Sequence, residues 1–284
     1  MHKHFSYTLF AAAVALSSCG SSDSSQAGNE APATAQAMPA QVVHKIPQLV
    51  AVSASPGYPN ATITLGNVSA TPVGKDSAKV SFAFGVKDYE LKAQTADTGS
   101  KLCNNSAQGQ HIHFILDNAP YKALYEPKNE VTLANGTEHY VMAFLSRSYH
   151  ESVKTPSSAT LIHFRIDDKG KLVRLDDPKT PMLFYSRPKG DYIGKDTANV
   201  LLDFFIWNGK LTSDGYKVQA DILTSEGENN TFTFMAWEPK FITNLPMGKN
   251  KITLTLIGPD GKQPEGPNTK VEREINLALG EPMK

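Results

Sequence analysis

The sequence predicts an all-β protein, with two tandem immunoglobulin-like β-sandwich domains that follow a signal peptide and a disordered tether. Two observations support this fold class. Apolar and polar residues alternate along several short segments, which is the pattern of strands with one buried face. One stretch of sequence also recurs once, which indicates a duplicated domain.

The repeat sets the expected domain boundaries. Residues 74–80 read GKDSAKV, and residues 194–200 read GKDTANV. Each copy holds about a hundred residues of short alternating segments, a size typical of an immunoglobulin-like sandwich. We therefore expect a first domain at 51–177 and a second at 178–284, divided at a polar junction that contains two prolines.

The alternating segments are the predicted strands, and turn-forming Asn-Gly and Asp-Gly sequences separate them. They are 80–86, 111–116, 139–144 and 162–166 in the first copy and 251–256 in the second, with earlier strands at 62–65 and 182–185.

The first fifty residues are typical of an exported lipoprotein. A short basic start and an apolar segment predict a signal peptide at 1–18. The sequence LSSC at 16–19 resembles the bacterial lipobox, and this resemblance implies that Cys19 is acylated, with palmitate in the anchor. Residues 19–50 are rich in Ser, Ala, Gly and Pro, which predicts a disordered tether because such a segment buries too little apolar surface to fold.

The expected location is the bacterial cell envelope. Gly20 follows the cysteine, where an aspartate favours retention at the inner membrane of enteric bacteria. We therefore expect an outer-membrane lipoprotein that faces the periplasm or the cell surface. No apolar run reaches the roughly 18 residues that a membrane-spanning helix needs.

Composition limits the partners and the covalent cross-links. The chain has 28 basic and 28 acidic residues, so its net charge gives no basic excess for binding nucleic acid. Its two cysteines are Cys19 and Cys103. If Cys19 carries lipid, Cys103 is a buried apolar group, a metal ligand or an intermolecular thiol.

Histidines in the first copy are the main candidate site. The alternation points a group of large residues toward the core, namely Ile112, Phe114, Tyr140, Met142 and Phe144. The same alternation turns His111, His113 and His139 outward. Aligning 111–114 with 231–234 and 139–142 with 251–254 gives threonine or lysine at their counterparts, Thr231, Thr233 and Lys251.

These histidines predict a zinc or copper site. Three neutral imidazoles on neighbouring strands are suitable ligands for either metal. The further candidate ligands are His150, which lies in a following loop, Asp117 and Cys103. Two alternatives stay open, namely a solvated surface and an interface between the domains. An electron-transfer cupredoxin fits less well, because the late loop that holds its Cys, His and Met ligands has no equivalent here.

A second candidate site binds an anion or a sugar. Tyr185, Arg187, Lys189 and Tyr192 form a dense polar and aromatic stretch. The alternative for this stretch is a loop between the domains.

Two short motifs resemble sequences known from protein modification and from peptide recognition. Ser77 and Thr197 stand in Asp-Ser-Ala and Asp-Thr-Ala, which resemble the O-glycosylation sequon of Bacteroidetes. Residues 146–150, SRSYH, have a loose likeness to the phosphopeptide-binding residues of FHA domains, without their order and spacing.

No phosphate-binding loop, dinucleotide fingerprint or nucleophile elbow is present in the sequence, which favours a binding protein over an enzyme and leaves an enzyme open as the alternative. As a whole the chain resembles uncharacterised envelope lipoproteins of the Bacteroidetes kind, which implies the architecture and no particular activity. The expected function is a lipid-anchored binding or interaction protein of the cell envelope with a transition-metal site. The alternatives are a metal-handling or redox protein, and a module that binds carbohydrate, peptidoglycan or phosphopeptide. The expected partners are the membrane, through the lipid, and an envelope protein or glycan.

Overall fold

The structure of the protein, a computed structural model, describes residues 44–280. The predicted signal peptide, Cys19 and most of the predicted tether lie outside these residues. The described chain contains short 3-10 helices at Thr98–Ser100, Pro156–Ser158 and Gly194–Thr197. Its strands are β1 (Gln48–Ala51), β2 (Thr62–Val73), β3 (Ser77–Lys87), β4 (His111–Leu116), β5 (Lys122–Leu124), β6 (Lys128–Ala134), β7 (Glu138–Ser146), β8 (Ala159–Ile166), β9 (Leu172–Arg174), β10 (Met182–Arg187), β11 (Gly190–Ile193), β12 (Val200–Trp207), β13 (Lys217–Leu223), β14 (Asn229–Phe234), β15 (Lys240–Thr243), β16 (Gly248–Ile257) and β17 (Lys270–Ala278).

The first sandwich packs a three-stranded sheet, in the order β2-β3-β6, against a five-stranded sheet, in the order β5-β4-β7-β8-β9. Its core is aromatic at the centre. The Phe82 ring meets Phe114 at 5.2 Å and Phe164 at 5.9 Å between centroids, both edge to face. Edge-to-face pairs at this distance add to the free energy gained from burial alone.

The second sandwich repeats this arrangement. A four-stranded sheet, β1-β15-β12-β10, packs against a five-stranded sheet, β11-β17-β16-β13-β14. The strand order is the same in the two sandwiches. In the smaller sheets, β2, β3 and β6 correspond to β10, β12 and β15. In the five-stranded sheets, β5, β4, β7 and β8 correspond to β14, β13, β16 and β17. The outer strands differ, since β9 is antiparallel to β8, whereas β11 is parallel to β17. The predicted all-β sandwich fold is confirmed.

The matching strand orders correct the alignment of the two copies. Residues 111–114 lie in β4, whose equivalent is β13, whereas residues 231–234 lie in β14. The alignment by sequence thus places His111 and His113 opposite the wrong strand of the second copy, whereas β7, which carries His139, does correspond to β16, which carries Lys251.

The strand β1 belongs to the second sandwich although it precedes the first in the chain. Gln48–Ala51 pair antiparallel with Lys240–Thr243 of β15. From there the chain crosses to the first sandwich, where the buried Lys101 ammonium donates to the carbonyls of Ser53 and Ala54. The last residues of the segment predicted as a tether are thus in a strand. The exact domain boundaries stay a prediction.

A third apolar cluster lies between the sandwiches. It joins the outer faces of β4, β7 and β8 to the outer faces of β10 and β12, and its buried members include Ile115, Met142, Phe144, Phe184 and Phe205. The Phe144 and Phe205 rings stack at 5.0 Å between centroids. Because this contact covers the outer face of the five-stranded sheet, β4 and β7 are buried on both sides.

This double burial reverses the predicted orientation of β7. Val141, Ala143 and Leu145 face the core of the first sandwich, whereas Met142 and Phe144 face the second sandwich. The predicted core residues of this strand, Tyr140, Met142 and Phe144, therefore lie on its outer face. Both sets of alternating positions are apolar, so the alternation does not tell which face is inside.

Among the described residues, we find no helix with the length and apolar character needed to cross a membrane.

Candidate metal centre

His111 and His113 share one face of β4 and are fully buried. Residues two apart on a strand point to the same side. Their side is the outer face of the first sandwich, which β10 of the second sandwich covers. The predicted orientation of these two rings is therefore correct, but the face is buried between the sandwiches and not exposed to solvent.

His150 reaches the same place from the loop after β7. It adopts a left-handed backbone conformation, with φ at 69°, and its amide donates to the Arg147 carbonyl at 2.9 Å. A non-glycine residue in this region stores strain, and such positions concentrate at functional sites. The loop is fixed by the ion pair between Arg147 and Glu151, both of which are buried.

Three ring nitrogens converge. Nε2 of His111 lies 3.0 Å from Nε2 of His113 and 3.2 Å from Nδ1 of His150. One nitrogen from each of the three rings lies within 4.8 Å of the others. A tetrahedral zinc ion with bonds of about 2.0–2.1 Å needs ligand nitrogens about 3.3 Å apart. The two separations from Nε2 of His111 are close to this value, which makes the three rings a candidate set of ligands for a single metal ion.

Hydrogen bonds on the far sides of two rings orient them. Nδ1 of His111 donates to the Gly109 carbonyl at 2.8 Å, since a carbonyl only accepts. A neutral His111 ring therefore presents a lone pair on Nε2. Nδ1 of His113 lies 2.9 Å from the Ser186 hydroxyl on β10. Metal-binding histidines usually make such a second hydrogen bond, which sets the tautomer and the ring orientation.

Tyr121 closes one side of the cluster. Its ring stacks on His113, with centroids 3.5 Å apart and planes inclined by 11°. Its hydroxyl lies 3.1 Å from Nδ1 of His150. This tyrosine is buried, and no spacing in the sequence indicated it.

Two cationic side chains border the cluster. Arg187 is buried and donates to the hydroxyl of Tyr192 at 3.2 Å. The Lys189 ammonium donates to the Tyr121 carbonyl at 2.6 Å and lies 3.7 Å from the centroid of the Tyr121 ring. Within residues 44–280, neither cation forms an ion pair with a carboxylate.

Burial keeps all three imidazoles uncharged. It lowers the pKa of His111 to about 4 and the pKa of His113 and of His150 well below the usual value of 6.5. Arg187 and Lys189 act in the same direction, because a nearby positive charge disfavours protonation. At neutral pH the rings are therefore free to bind a metal ion without first losing a proton.

The metal-free protein is expected to lose stability as the pH falls from about 6.5 toward 4. In this interval an unfolded histidine takes up a proton while folded His111, with its pKa at about 4, does not. The unfolded state then binds more protons, so the free energy of unfolding decreases as the pH decreases. His111 alone accounts for about 3 kcal/mol, and His113 and His150 add to the loss.

Urea unfolding in the presence of a chelator, at several pH values between 7 and 4.5, measures this loss. Glu151 acts in the opposite sense, since burial raises the pKa of its carboxyl group. The His150→Ala variant is therefore the internal comparison. Its stability should depend less steeply on pH, and a dependence equal to that of the unchanged protein would contradict the assignment.

His139 does not join the cluster. It lies on the opposite face of the sheet, where its Nδ1 is 2.7 Å from the Asp117 carboxylate and its ring meets Phe164. Its position on the β7 face that carries Val141 explains this, since successive side chains on a strand point to opposite faces. Asp117 lies beyond the other end of β4 and is exposed. Both predicted ligands thus belong to a separate hydrogen-bonded pair on the other face of the sheet.

Cys103 also lies outside the group of three histidines. Its thiol is half-buried, and burial raises its pKa to about 11. Such a thiol holds its proton at neutral pH, which makes it a poor ligand or nucleophile.

Of the residues predicted for anion or sugar binding, Arg187 and Lys189 border the histidines, whereas Tyr185 and Tyr192 pack in the core of the second sandwich. Tyr185 is fully buried, and the Arg273 guanidinium carbon lies 4.5 Å from the centroid of its ring. Tyr192 is buried and accepts from Arg187. Sequence reasoning had not linked this stretch to the histidines, because β10 and β4 are far apart in the chain.

Ser77 and Thr197, the predicted O-glycosylation residues, occupy equivalent positions of the repeat, Ser77 at the start of β3 and Thr197 at the end of the 3-10 helix Gly194–Thr197. The Ser77 hydroxyl donates to the Val73 carbonyl at 2.8 Å, and the Thr197 hydroxyl donates to the Gly194 carbonyl at 2.7 Å. Both side chains are half-buried. Their modification stays a prediction.

Comparisons with known proteins show no family for this chain. No family model matches the chain, and no curated protein matches it. Among solved structures, fibronectin(III)-like modules of Clostridium thermocellum CbhA share 13% identity over 78% of this chain and 97% of theirs, with a TM-score of 0.26. The FN1–FN3 domains of chicken CNTN1 share 8% identity over 78% of this chain and 67% of theirs, with a TM-score of 0.24. At these TM-scores the likeness supports no conclusion about function.

The fold and the site together define a duplicated β-sandwich protein with a buried group of three histidines at the contact between its two sandwiches.

Proposed function

We propose that this chain is a lipid-anchored binding protein of the bacterial cell envelope that holds one transition-metal ion through His111, His113 and His150. The observation that carries the metal site is the convergence of three buried, uncharged imidazoles, with nitrogens 3.0 and 3.2 Å apart. Imidazole ligands without a thiolate suit zinc and copper(II).

Burial favours a binding role over catalysis. His111 and His113 are fully buried, and His150 is only 7% exposed. Catalytic metal sites keep a position open for substrate, whereas structural sites are closed. The ligands belong to the first sandwich and Ser186 to the second, so a bound ion would also strengthen the contact between the two.

The alternative of a metal-handling or redox protein uses the same histidines and differs in the metal. Copper that exchanges with a partner or changes oxidation state would support it. The alternative of a sugar or anion site at Tyr185, Arg187 and Tyr192 has less support, because these side chains are buried and already contact one another.

The proposed location depends on Cys19, which lies outside the described residues. Lipidation predicts a diacylated or triacylated cysteine at the N-terminus of the native protein. Mass spectrometry of that N-terminus tests it, and an unmodified Cys19 would remove the membrane anchor from the proposal without affecting the metal site.

Metal content and titration test the metal site. Protein purified without chelator is expected to contain about one zinc or copper ion per chain. After removal of the metal, isothermal titration with Zn²⁺ or Cu²⁺ should restore that stoichiometry, and the melting temperature should rise with metal concentration because the ion binds only the folded state. A metal-free protein that shows neither binding nor a shift in melting temperature would refute the site.

A further inference from the structure

Both tryptophans of the chain line one cavity. It has a volume of about 380 Å³ and lies beside the apolar cluster between the sandwiches, on which both tryptophans pack. Trp207 ends β12, and Trp237 lies between β14 and β15, so both belong to the second sandwich. The first sandwich contributes Lys154 and Pro156, from the segment between β7 and β8. Cavities of this size at the contact between two domains are typical places for ligands.

The ring of Trp237 is held in place by its neighbours. Its indole Nε1 donates to the Phe204 carbonyl at 2.8 Å, and its ring meets Phe205 edge to face at 4.6 Å between centroids. The Lys154 ammonium lies 5.5 Å from the centroid of the Trp237 ring system. Trp237 is nevertheless only half-buried, so an oriented indole is available in the cavity. An aromatic side chain that is fixed before binding loses little entropy when a ligand packs on it.

Trp207 also lines an adjoining cavity. This second cavity has a volume of about 420 Å³ and is otherwise lined by Asp177, Pro178, Lys179 and Asn208. The Asn208 amide donates to the Pro178 carbonyl at 2.5 Å, which ties the turn after β12 to the segment that joins the sandwiches. Because the two cavities share Trp207 and Asn208, they form one groove, which we call the tryptophan groove.

The tryptophan groove carries little net charge. Lys154 forms an ion pair with Asp203, which is fully buried, and donates to the Ser152 hydroxyl at 2.5 Å. Asp177 and Lys179, in the second cavity, are of opposite sign. A cationic ligand on Trp237 would meet the Lys154 ammonium, and an anionic ligand would compete with Asp203 for that ammonium. These charges favour an uncharged ligand.

A neutral sugar matches this lining. One face of a pyranose ring consists largely of C–H groups, which pack on a flat indole, whereas the edges of the ring carry hydroxyl groups. These hydroxyl groups need hydrogen-bond partners when they leave water. The ammonium of Lys154 has three N–H donors and uses two of them, and the side chains of Asn208 and Asp177 add further polar atoms at the rim.

A larger cavity on the first sandwich lacks this combination. It has a volume of about 660 Å³, and its lining includes Lys122, Lys128, Asn129 and Glu130. Its aromatic member, Phe82, is only 2% exposed and packs in the core. This cavity therefore offers no aromatic face to a sugar, and it serves as the comparison site.

We propose that the tryptophan groove binds a neutral oligosaccharide, with pyranose rings stacked on Trp207 and Trp237. The two adjoining cavities accommodate more than one sugar residue, so an oligosaccharide should bind more tightly than its monosaccharide. The groove shares no lining residue with the three histidines. This ligand site is therefore additional to the proposed metal site, and neither depends on the other.

Tryptophan fluorescence tests the proposal. Since the chain has two tryptophans and both line the groove, excitation selective for tryptophan reports on this groove alone. The protein is titrated with cellohexaose, maltohexaose, xylohexaose, mannohexaose and chitohexaose, and with hexagalacturonate as the charged probe. At least one neutral probe should change the emission saturably and protect the indoles from quenching by acrylamide. No saturable change with any neutral probe, or a change with hexagalacturonate alone, would overturn the proposal.

Variants locate the bound sugar. Trp207→Ala should weaken binding at least about 10-fold, whereas Trp207→Phe, which keeps a flat ring, should weaken it less. Lys128→Ala is the matched control, because Lys128 is an exposed residue of the comparison cavity. It should bind the sugar as the unchanged protein does. Calorimetry measures these affinities, since the Trp207 variants lose one of the two fluorescent reporters.

Two outcomes would assign the groove or the sugar differently. Loss of sugar binding in Lys128→Ala and not in Trp207→Ala would place the sugar in the comparison cavity. Saturable quenching by a proline-rich peptide, without any response to the sugars, would make the groove a surface for protein. Each of these results refutes the proposal. Sugar binding itself should be the same before and after removal of metal with a chelator, because the groove contains none of the histidines.

Discussion

A His150→Ala variant is expected to lose zinc and copper binding, whereas a His139→Ala variant should bind both metals as the unchanged protein does. His150 supplies one of the three converging nitrogens, 3.2 Å from Nε2 of His111. Loss of an outer hydrogen-bond partner typically lowers metal affinity 10- to 100-fold, so the loss of a direct ligand should exceed about 100-fold.

The contrast between these two variants is informative because sequence alternation had grouped His139 with His111 and His113. In the structure His139 pairs with Asp117 on the opposite face of the sheet. Competition with a chromogenic chelator measures both affinities under one set of conditions. Equal loss in both variants, or loss in His139→Ala alone, would show that the ligands are those suggested by the sequence pattern.

A Phe144→Ala variant is expected to lower the free energy of unfolding by about 3–5 kcal/mol, the usual cost of truncating a buried phenylalanine. Phe144 is fully buried between the sandwiches, where its ring lies 5.0 Å from Phe205 and 5.2 Å from His113. The lost contacts include both the apolar contact between the sandwiches and the support behind one metal-binding ring. Metal affinity should therefore fall as well.

Tyr140→Ala is the matched control for this variant. Tyr140 shares the face of β7 with Phe144 but is half-buried at the edge, where it stacks on His163. Its truncation should cost clearly less than that of Phe144. Urea unfolding followed by two spectroscopic probes measures both. If Phe144→Ala cost under about 1 kcal/mol, the packed contact between the sandwiches would be refuted.

The fold was accessible from the sequence because most strands follow a period of two and the copies share a repeat. Val80 and Phe84 of β3 and their counterparts Val200 and Phe204 of β12 are all buried in the cores, as the repeat predicts. The sequence predicts β7 as a strand, but it does not predict which face of this strand points to the core of the first sandwich. Tyr140, Met142 and Phe144 alternate with Val141, Ala143 and Leu145, and only tertiary structure shows which set faces which sheet.

The same ambiguity affected the predicted metal site. An error of one residue moves every side chain of a strand to the other face. The wrong face for β7 placed His139 beside His111 and His113 in the prediction, whereas in the structure Phe144 and Ser146 lie beside them. His150 was predicted as a further ligand from its nearness in the sequence alone, since loop conformation carries no periodic signal. Tyr121 and Ser186 were missed because their proximity depends on long-range contacts.

The attachment of β1 to the second sandwich has a mechanical consequence for an N-terminally tethered protein. Any pull on the chain from residue 48 would first load the four residue pairs between β1 and β15, not the first sandwich. Tension at the N-terminus would therefore detach this short strand before it reached the contact between the sandwiches and the histidines within it.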